Sequence, residues 1–313
     1  MKTLQILRAG PQTTVQDLGR EGFGPIGVSA SGAADPISLR IGNRLVGNPE
    51  NAAALEMTLL GDEIQFSRDA LIALTGANLS AASNSSSLPM YESFRVKSGQ
   101  TLKLGHIRSG VRSYLCIAGG IAVTPFLGSR STHLLSGLGG HLGRPLQRGD
   151  SLPIGIPSAP FKRRKIASPL DQHLAPRKIL RVTKGPQWQQ FSSAAQHLFF
   201  SQSYTVTQDA SRMGVRLQAE PLAMSSAGEM LTEGVSLGAI QITPSGQPII
   251  LFVEQQTTGG YPKIANVIAA DIASVGQLTP REQIRFELVT LEFARAALLQ
   301  QERLLTSPEL IEE

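Results

Sequence analysis

A single cysteine, Cys116, stands among 313 residues, which excludes an internal disulfide and any metal site built from clustered thiolates. Its neighbours Tyr114-Leu115-Cys116-Ile117-Ala118 are apolar, so the thiol is expected to be buried in a protein of the reducing cytoplasm. Aromatic residues are scarce at 5% and are not interleaved with basic ones, which argues against a nucleic-acid surface. No run of ~18 apolar residues occurs, and Met1-Lys2-Thr3-Leu4-Gln5 opens no apolar stretch with a small-residue cleavage site. Neither a membrane span nor secretion is expected. Lys and Arg outnumber Asp and Glu, 29 against 24, yet the excess is matched by Lys162, Arg163, Arg164, Lys165 and Arg177 alone. The rest of the chain is close to neutral.

At roughly 100–200 residues per domain, the length predicts two compact units. A hydrophobic share of 41% against 17% charged residues supplies a buried core. The 31 glycines and 19 prolines fall as punctuation between short alternating runs, the mark of a β-rich protein. Candidate strands are Leu4–Leu7, Glu63–Phe66, Leu71–Leu74, Thr101–Leu104, Ser113–Ala118, Ile179–Val182, Ser203–Thr207, Pro248–Val253 and Gln283–Leu288. Few are separated by a helix long enough for a parallel crossover. The clearest helix is Pro36–Val46, with Asp35 as N-cap, Pro36 at the first position and Ile37, Ile41 and Leu45 in a stripe. Others are expected over Trp188–Leu198, Ile264–Val275 and Leu291–Leu305. The prolines and bases near 157–177 mark a boundary, giving an N-terminal half at 1–160, a basic linker at 161–177 and a C-terminal half with a terminal helix at 178–313. The phrases Gln147-Arg148-Gly149-Asp150 and Pro280-Arg281-Glu282-Gln283 close the two halves similarly, a hint of duplicated barrels.

Gly234-Val235-Ser236-Leu237-Gly238 fits the nucleophile-elbow spacing, but Ala239-Ile240-Gln241-Ile242 after it reads as extended where that motif needs a helix. A glycine turn entering a strand is the expectation. Gly137-Leu138-Gly139-Gly140-His141-Leu142-Gly143 has the wrong spacing for a phosphate loop and runs into Arg144-Pro145. His106, His133, His141, His173 and His197 show no metal-ligand spacing, and no bound metal is expected. Two clusters hold more chemistry. Thr13–Gly24 places Asp17 and Arg20 among glycines, either to hold an anion or to close the loop as an ion pair. Gln255-Gln256-Thr257-Thr258-Gly259-Gly260-Tyr261-Pro262-Lys263 follows an apolar strand and precedes the expected helix, either as a ligand loop or as a polar turn.

These clusters, with Gly42-Asn43-Arg44-Leu45-Val46-Gly47-Asn48, Gly128-Ser129-Arg130-Ser131-Thr132, Arg212-Met213-Gly214-Val215-Arg216-Leu217 and Gly238-Ala239-Ile240-Gln241, resemble the carboxyltransferase-like family. That family includes the C subunit of 5-oxoprolinase, KipA-like proteins and the corresponding segment of urea amidolyase. The resemblance spans about residues 1–290. It implies a mainly β fold of two cyclophilin-like β-barrel domains with a few short helices. It also implies the C subunit of an ATP-dependent 5-oxoprolinase, working on a small cyclic amide with a KipI-like B subunit and an A subunit. The alternatives are a KipA-like regulator binding a KipI-like kinase inhibitor, or a carboxyltransferase component acting on urea-like amides with biotin on another chain. No Walker-type loop is present, so ATP is expected to bind with the partner subunits. The sequence departs from the family at Glu254-Gln255, where the family carries Asp-Arg, and so lacks a fixed cation there. Lys263, Tyr261 and Asp17 are the expected catalytic residues, Lys263 stabilising charge on the substrate carbonyl with help from a helix N-terminus. Arg20 and Arg130 are expected to hold an anion, Asn43 and Gln241 to fix the amide, and Thr257 and Thr258 to give neutral hydrogen bonds, in one cleft where the halves meet.

Overall fold

The computed structural model describes residues 3–83, 86–158, 160–167, 173–224 and 230–313. The chain divides into two compact units: Met1–Arg20, Ser31–Leu174 and Leu304–Glu313 form the first, Glu21–Ala30 and Ala175–Arg303 the second. The fold is mainly β, as expected, but the partition differs from the expected one. Within the anticipated linker, Lys165–Ile166 pairs antiparallel with Ile311–Glu312, so the chain up to Leu174 and the C-terminal segment both count with the first unit. Residues 168–172 of that linker lie outside the described residues.

The first unit is built on a nine-stranded sheet: β1 (Thr3–Arg8), β2 (Thr13–Gln16), β3 (Ala54–Thr58), β4 (Glu63–Phe66), β5 (Ala70–Ser83), β6 (Ser86–Ser87), β7 (Ser93–Val96), β8 (Thr101–Ile117) and β9 (Ser151–Pro153). Its order is β2-β3-β8-β4-β1-β9, with β5 paired to β6, β7 and β8. The alternating residues Leu4, Ile6, Ile64, Phe66, Leu102 and Leu104 point into one core together with Leu55, Met57, Leu74 and Leu115. Two expected short strands, Thr101–Leu104 and Ser113–Ala118, prove to be parts of the single strand β8. The glycines between them are not turns: a Cβ at Gly105 would lie 2.8 Å from the Ser80 carbonyl, and the register between β5 and β8 shifts repeatedly there. Bulges absorb the glycine-rich stretch. Likewise β2 occupies the start of what was expected to be a loop.

Helix α1 (Pro36–Leu45) forms as expected, with Ile37, Ile41 and Leu45 buried. Asp35 Oδ1 accepts from the Ser38 amide at 3.0 Å and Oδ2 from the Ser38 hydroxyl at 2.6 Å. Beneath it Glu56 Oε2 accepts from the Ala34 amide at 2.8 Å and the Tyr114 hydroxyl at 2.7 Å, and Tyr114 Oη accepts from the Asp35 amide at 2.8 Å. Burial first, then the Glu56 and Asp35 charges, push the Tyr114 phenol well above its ordinary value.

The second unit holds a closed barrel of seven strands, order β11-β18-β15-β16-β13-β12-β19. Counting on from β10 (Lys165–Ile166), these are β11 (Ile179–Lys184), β12 (Tyr204–Val206), β13 (Gly214–Gln218), β15 (Ala239–Ile242), β16 (Pro248–Leu251), β18 (Lys263–Val267) and β19 (Gln283–Leu288), while β14 (Glu233–Gly234) and β17 (Thr258–Gly259) form a separate two-stranded ladder. The final short strand is β20 (Ile311–Glu312). Helix α2 (Ser193–Ser201) is capped by Ser192 and lays Phe199 on Phe286, stacked at 4.7 Å between ring centroids. The expected helix Trp188–Leu198 thus starts later, because Phe191 is extended and Ser192 restarts the chain. The larger correction is Ile264–Val275: its first residues belong to β18, and helix is confined to a 3-10 turn at Ala269–Asp271 and α3 (Ile272–Val275). A short apolar run does not distinguish a buried strand from a helix. Helix α4 (Leu291–Thr306) follows the barrel. Among the described residues no helix is long and apolar enough to cross a membrane.

Close packing of α1 on the sheet generates a stability test. A Cβ at Gly42 would lie 2.6 Å from the Cys116 thiol and 2.8 Å from the Thr75 hydroxyl. Gly42→Val is expected to cost about 1–3 kcal/mol through overpacking, read as a lower urea midpoint with an unchanged slope.

Candidate functional site

The expected site residues fall into two groups, one in each unit. In the first unit Asp17 is buried and its carboxylate is saturated. Oδ1 accepts from the Ser129 hydroxyl at 2.6 Å, the Ser131 hydroxyl at 2.5 Å and the Gly19 amide at 2.8 Å, and Oδ2 accepts from the Arg130 amide at 2.5 Å. Such a carboxylate organises a loop. Arg20, 2% exposed, donates to the carbonyls of Ser131 and Phe126 and lies 5.6 Å over the Phe126 ring. Its guanidinium thus braces the backbone of the 126–131 segment. Asn43 is fully buried and donates to the carbonyls of Glu50 and Ala52 at 3.1 and 2.7 Å while accepting from Asn48. It fixes the turn after α1 and has no face left for a substrate amide. Arg130 is half-buried, and among the described residues its side chain gives its Nε to the Val123 carbonyl, at 2.9 Å.

In the second unit Lys263 opens β18 and pairs across the sheet with Gln241 of β15. The helix dipole expected behind it is absent, because the chain continues as a strand. Lys263 is 4% exposed, and its ammonium makes an ion pair with Glu233 Oε1. The same oxygen accepts from Gln187 Nε2 at 2.7 Å, and Gln187 Oε1 accepts from the Lys263 amide at 3.0 Å. Hydrogen bonds from Lys263 first and Gln187 second hold the Glu233 carboxyl below the usual range. The pair lines a cleft of about 390 Å³ with Pro186, Ser236, Ala265 and Asn266.

The Gln255–Lys263 loop brings Glu233 to Lys263. Thr258 and Gly259 pair with Gly234 and Glu233, and the Thr257 carbonyl accepts from the Val235 amide at 3.1 Å. Gly259 has no room for a side chain: a Cβ would lie 2.6 Å from Gln241 Nε2 and 2.8 Å from Gln256 Nε2. Gln241 is buried and donates to the Tyr261 carbonyl at 3.3 Å. Tyr261 itself, 42% exposed, lines a different hollow of about 720 Å³ with Met230, Ile242 and Pro262. It does not share a cleft with Lys263. Glu233 and Gln187 escape sequence reading because neither stands in a motif and both sit far along the chain from Lys263. Ser236 stands on the turn before β15, and no helix follows it. Beside Glu254-Gln255, Arg212 in the bend before β13 donates its Nε to Glu254, and both side chains are 2% exposed.

The glycine loop at 137–143 folds on itself. A Cβ at Gly143 would lie 1.9 Å from the Gly137 carbonyl, and one at Gly140 1.9 Å from the Thr132 hydroxyl, which leaves no cradle for phosphate. Arg144 clasps Asp150 at 2.8 and 2.9 Å. Among the described residues no cluster of His, Cys, Asp or Glu could hold a metal ion.

Known proteins resemble this architecture. A family model described as carboxyltransferase domain, subdomain A and B, matches residues 26–288. The chain is 41% identical over 300 residues to an Escherichia coli protein named as the C subunit of 5-oxoprolinase, a match that takes in 96% of each chain. It is 37% identical over 301 residues to one of the same name in Haemophilus influenzae, 93% of each. The crystal structure of the K. lactis urea amidolyase superposes with a TM-score of 0.91 at 32% identity, covering 99% of this chain and 20% of that one.

The Asp150 clasp makes a pH-dependent contribution. Its hydrogen bonds from Arg144 lower the carboxyl to about 2. A carboxyl depressed on folding stabilises above its unfolded value near ~4 and stops doing so as pH falls through the folded value. Asp150→Asn is therefore expected to unfold at lower urea than the wild type at pH 6, with the gap closing as pH falls from about 4 to 2.

Proposed function

The chain belongs to the carboxyltransferase domain family, and from that premise we propose that it serves as the C subunit of an ATP-dependent 5-oxoprolinase. The length-for-length match to the two 5-oxoprolinase relatives carries this reading. Working with a KipI-like B subunit and an A subunit, the assembly opens 5-oxoproline to glutamate. Amide resonance makes the lactam carbonyl a poor electrophile. ATP removes that obstacle by phosphorylating the carbonyl oxygen. ADP leaves; one water adds to the carbon, the ring C–N bond breaks as the nitrogen takes up a proton, and the acyl phosphate that results is hydrolysed by a second water to glutamate and phosphate. ATP binding is assigned to the assembly, since the glycine loop of this chain is closed on itself.

Lys263 takes the part of charge stabiliser, a buried ammonium whose attraction for developing negative charge is little screened. Gln241, Thr257 and Thr258 hold the loop that faces it. Arg130 is the anion-holding candidate of the first unit, and Asp17, Arg20 and Asn43 act as braces. Tyr261 takes a supporting place beside the loop. Leu291, Phe293 and Leu299 remain exposed on α4, and we assign the contact with the B subunit to them. The cytoplasm supplies the ATP and keeps the buried Cys116 thiol reduced.

Two measurements test the reading. The purified A and B proteins mixed with this chain, ATP and 5-oxoproline are expected to release glutamate, and omission of any one protein is expected to abolish release. No glutamate from the full mixture overturns the assignment. Lys263→Met is expected to retain the wild-type circular dichroism spectrum and partner binding while turnover falls by about a hundredfold or more. Near-normal turnover would remove Lys263 from the chemistry.

A further inference from the structure

Glu233 and Lys263 are both half-used. An ammonium carries three N–H donors, and the only protein acceptor of Lys263 Nζ among the described residues is Glu233 Oε1. Glu233 Oε1 takes both Lys263 and Gln187, while its second oxygen, Oε2, accepts from no described residue. The ion pair thus offers the cleft a fixed acceptor beside surplus donors. Lys263 is held by the strand register, and Gln187 ties Glu233 Oε1 to the Lys263 backbone.

That pattern has one natural complement. An open-chain secondary amide is trans, so its N–H and C=O leave on opposite sides. A five-membered lactam is forced cis, and its N–H and C=O lie side by side on one edge. A urea shows the same edge. We infer that the Glu233–Lys263 pair reads this cis-amide edge, Glu233 Oε2 accepting the ring N–H while Lys263 Nζ donates to the carbonyl oxygen. Glu233 is then a specificity-determining residue, one that selects lactam and ureido substrates over open-chain secondary amides. The inference rests on the proposed function for its substrate, 5-oxoproline, but not for its geometry. It also gives Lys263 its contact with the oxygen on which charge develops.

The test compares 5-oxoproline with N-methyl-5-oxoproline, which keeps the ring and carbonyl but has no N–H. Calorimetric titration is done on the mixture of this chain with the A and B proteins, without ATP. The wild type is expected to bind the methylated lactam at least about tenfold more weakly, because Glu233 Oε2 loses its donor. In Glu233→Ala the two lactams are expected to bind within about twofold of each other. A merely steric penalty from the methyl group would persist in that variant. Glu233→Asp keeps a charge beside Lys263 but draws the open oxygen back by one methylene. It serves should Glu233→Ala fail to melt cooperatively, and it too is expected to lose the discrimination. No lactam binding, no discrimination in the wild type, or discrimination unchanged in the variants overturns the inference. Ring opening with ATP is scored separately. A mixture that opens the ring without discriminating sinks the inference and leaves the function, and one that discriminates without opening the ring does the reverse.

Discussion

Closure of the seven-stranded barrel is the constraint on which the second unit depends. It is achieved by one parallel pairing, Ile179–Val182 against Arg285–Leu288, in a barrel whose other pairings are antiparallel. A closed sheet has no edge, so every strand is held on both sides and none can slip by a residue without turning its buried side chains outward. Beside that junction Asp271 receives the Arg181 amide at 2.8 Å and its guanidinium Nε at 3.0 Å. The strand carrying Lys263 lies between β11 and β15 and inherits this rigidity.

Buried charge in this protein serves position more often than chemistry. Asp17, Glu56, Glu254 and Asp271 are each at most 7% exposed, and each is matched by backbone amides, hydroxyls or an arginine. Unmatched, a carboxylate so placed would be costly, so each forces its loop or strand into the arrangement that satisfies it. Lys263 is the exception in kind, since its partner Glu233 is 45% exposed and the pair faces a cleft.

Much of the fold was legible from local chemistry. Asp35, Pro36 and the Ile37, Ile41, Leu45 stripe specify α1 within one residue, and the alternation in Glu63–Phe66 and Gln283–Leu288 reads directly as strand. What failed was nonlocal. In Ile264–Val267 Ile264 and Ala265 on opposite faces are both buried, so the short run lacks the alternation that marks a strand. Gly105 and Gly110 looked like turns because a bulge between two long strands leaves no signature distinct from a loop. The site shows the same division. Lys263 stands out in sequence because it sits in a motif, whereas Glu233 and Gln187 reach it only through the pairing of β14 with β17 and the approach of Gln187 to β18. For Asp17 and Arg20 composition shows that a charge is present but not how many bonds it already makes, so the loop-closing and anion-holding readings could not be separated from sequence.

The ladder that presents Glu233 has two residues on each strand, while Lys263 belongs to the barrel. Local opening costs little where few bonds must break at once, and much where the whole sheet must yield. The two halves of the ion pair therefore sit on elements of unequal persistence. A ligand that bridges them also fastens the ladder to the barrel, so part of its intrinsic affinity goes into ordering the protein. Occupancy of the cleft and order in the 230s become linked quantities, and whatever firms the ladder from outside raises affinity without touching the ligand.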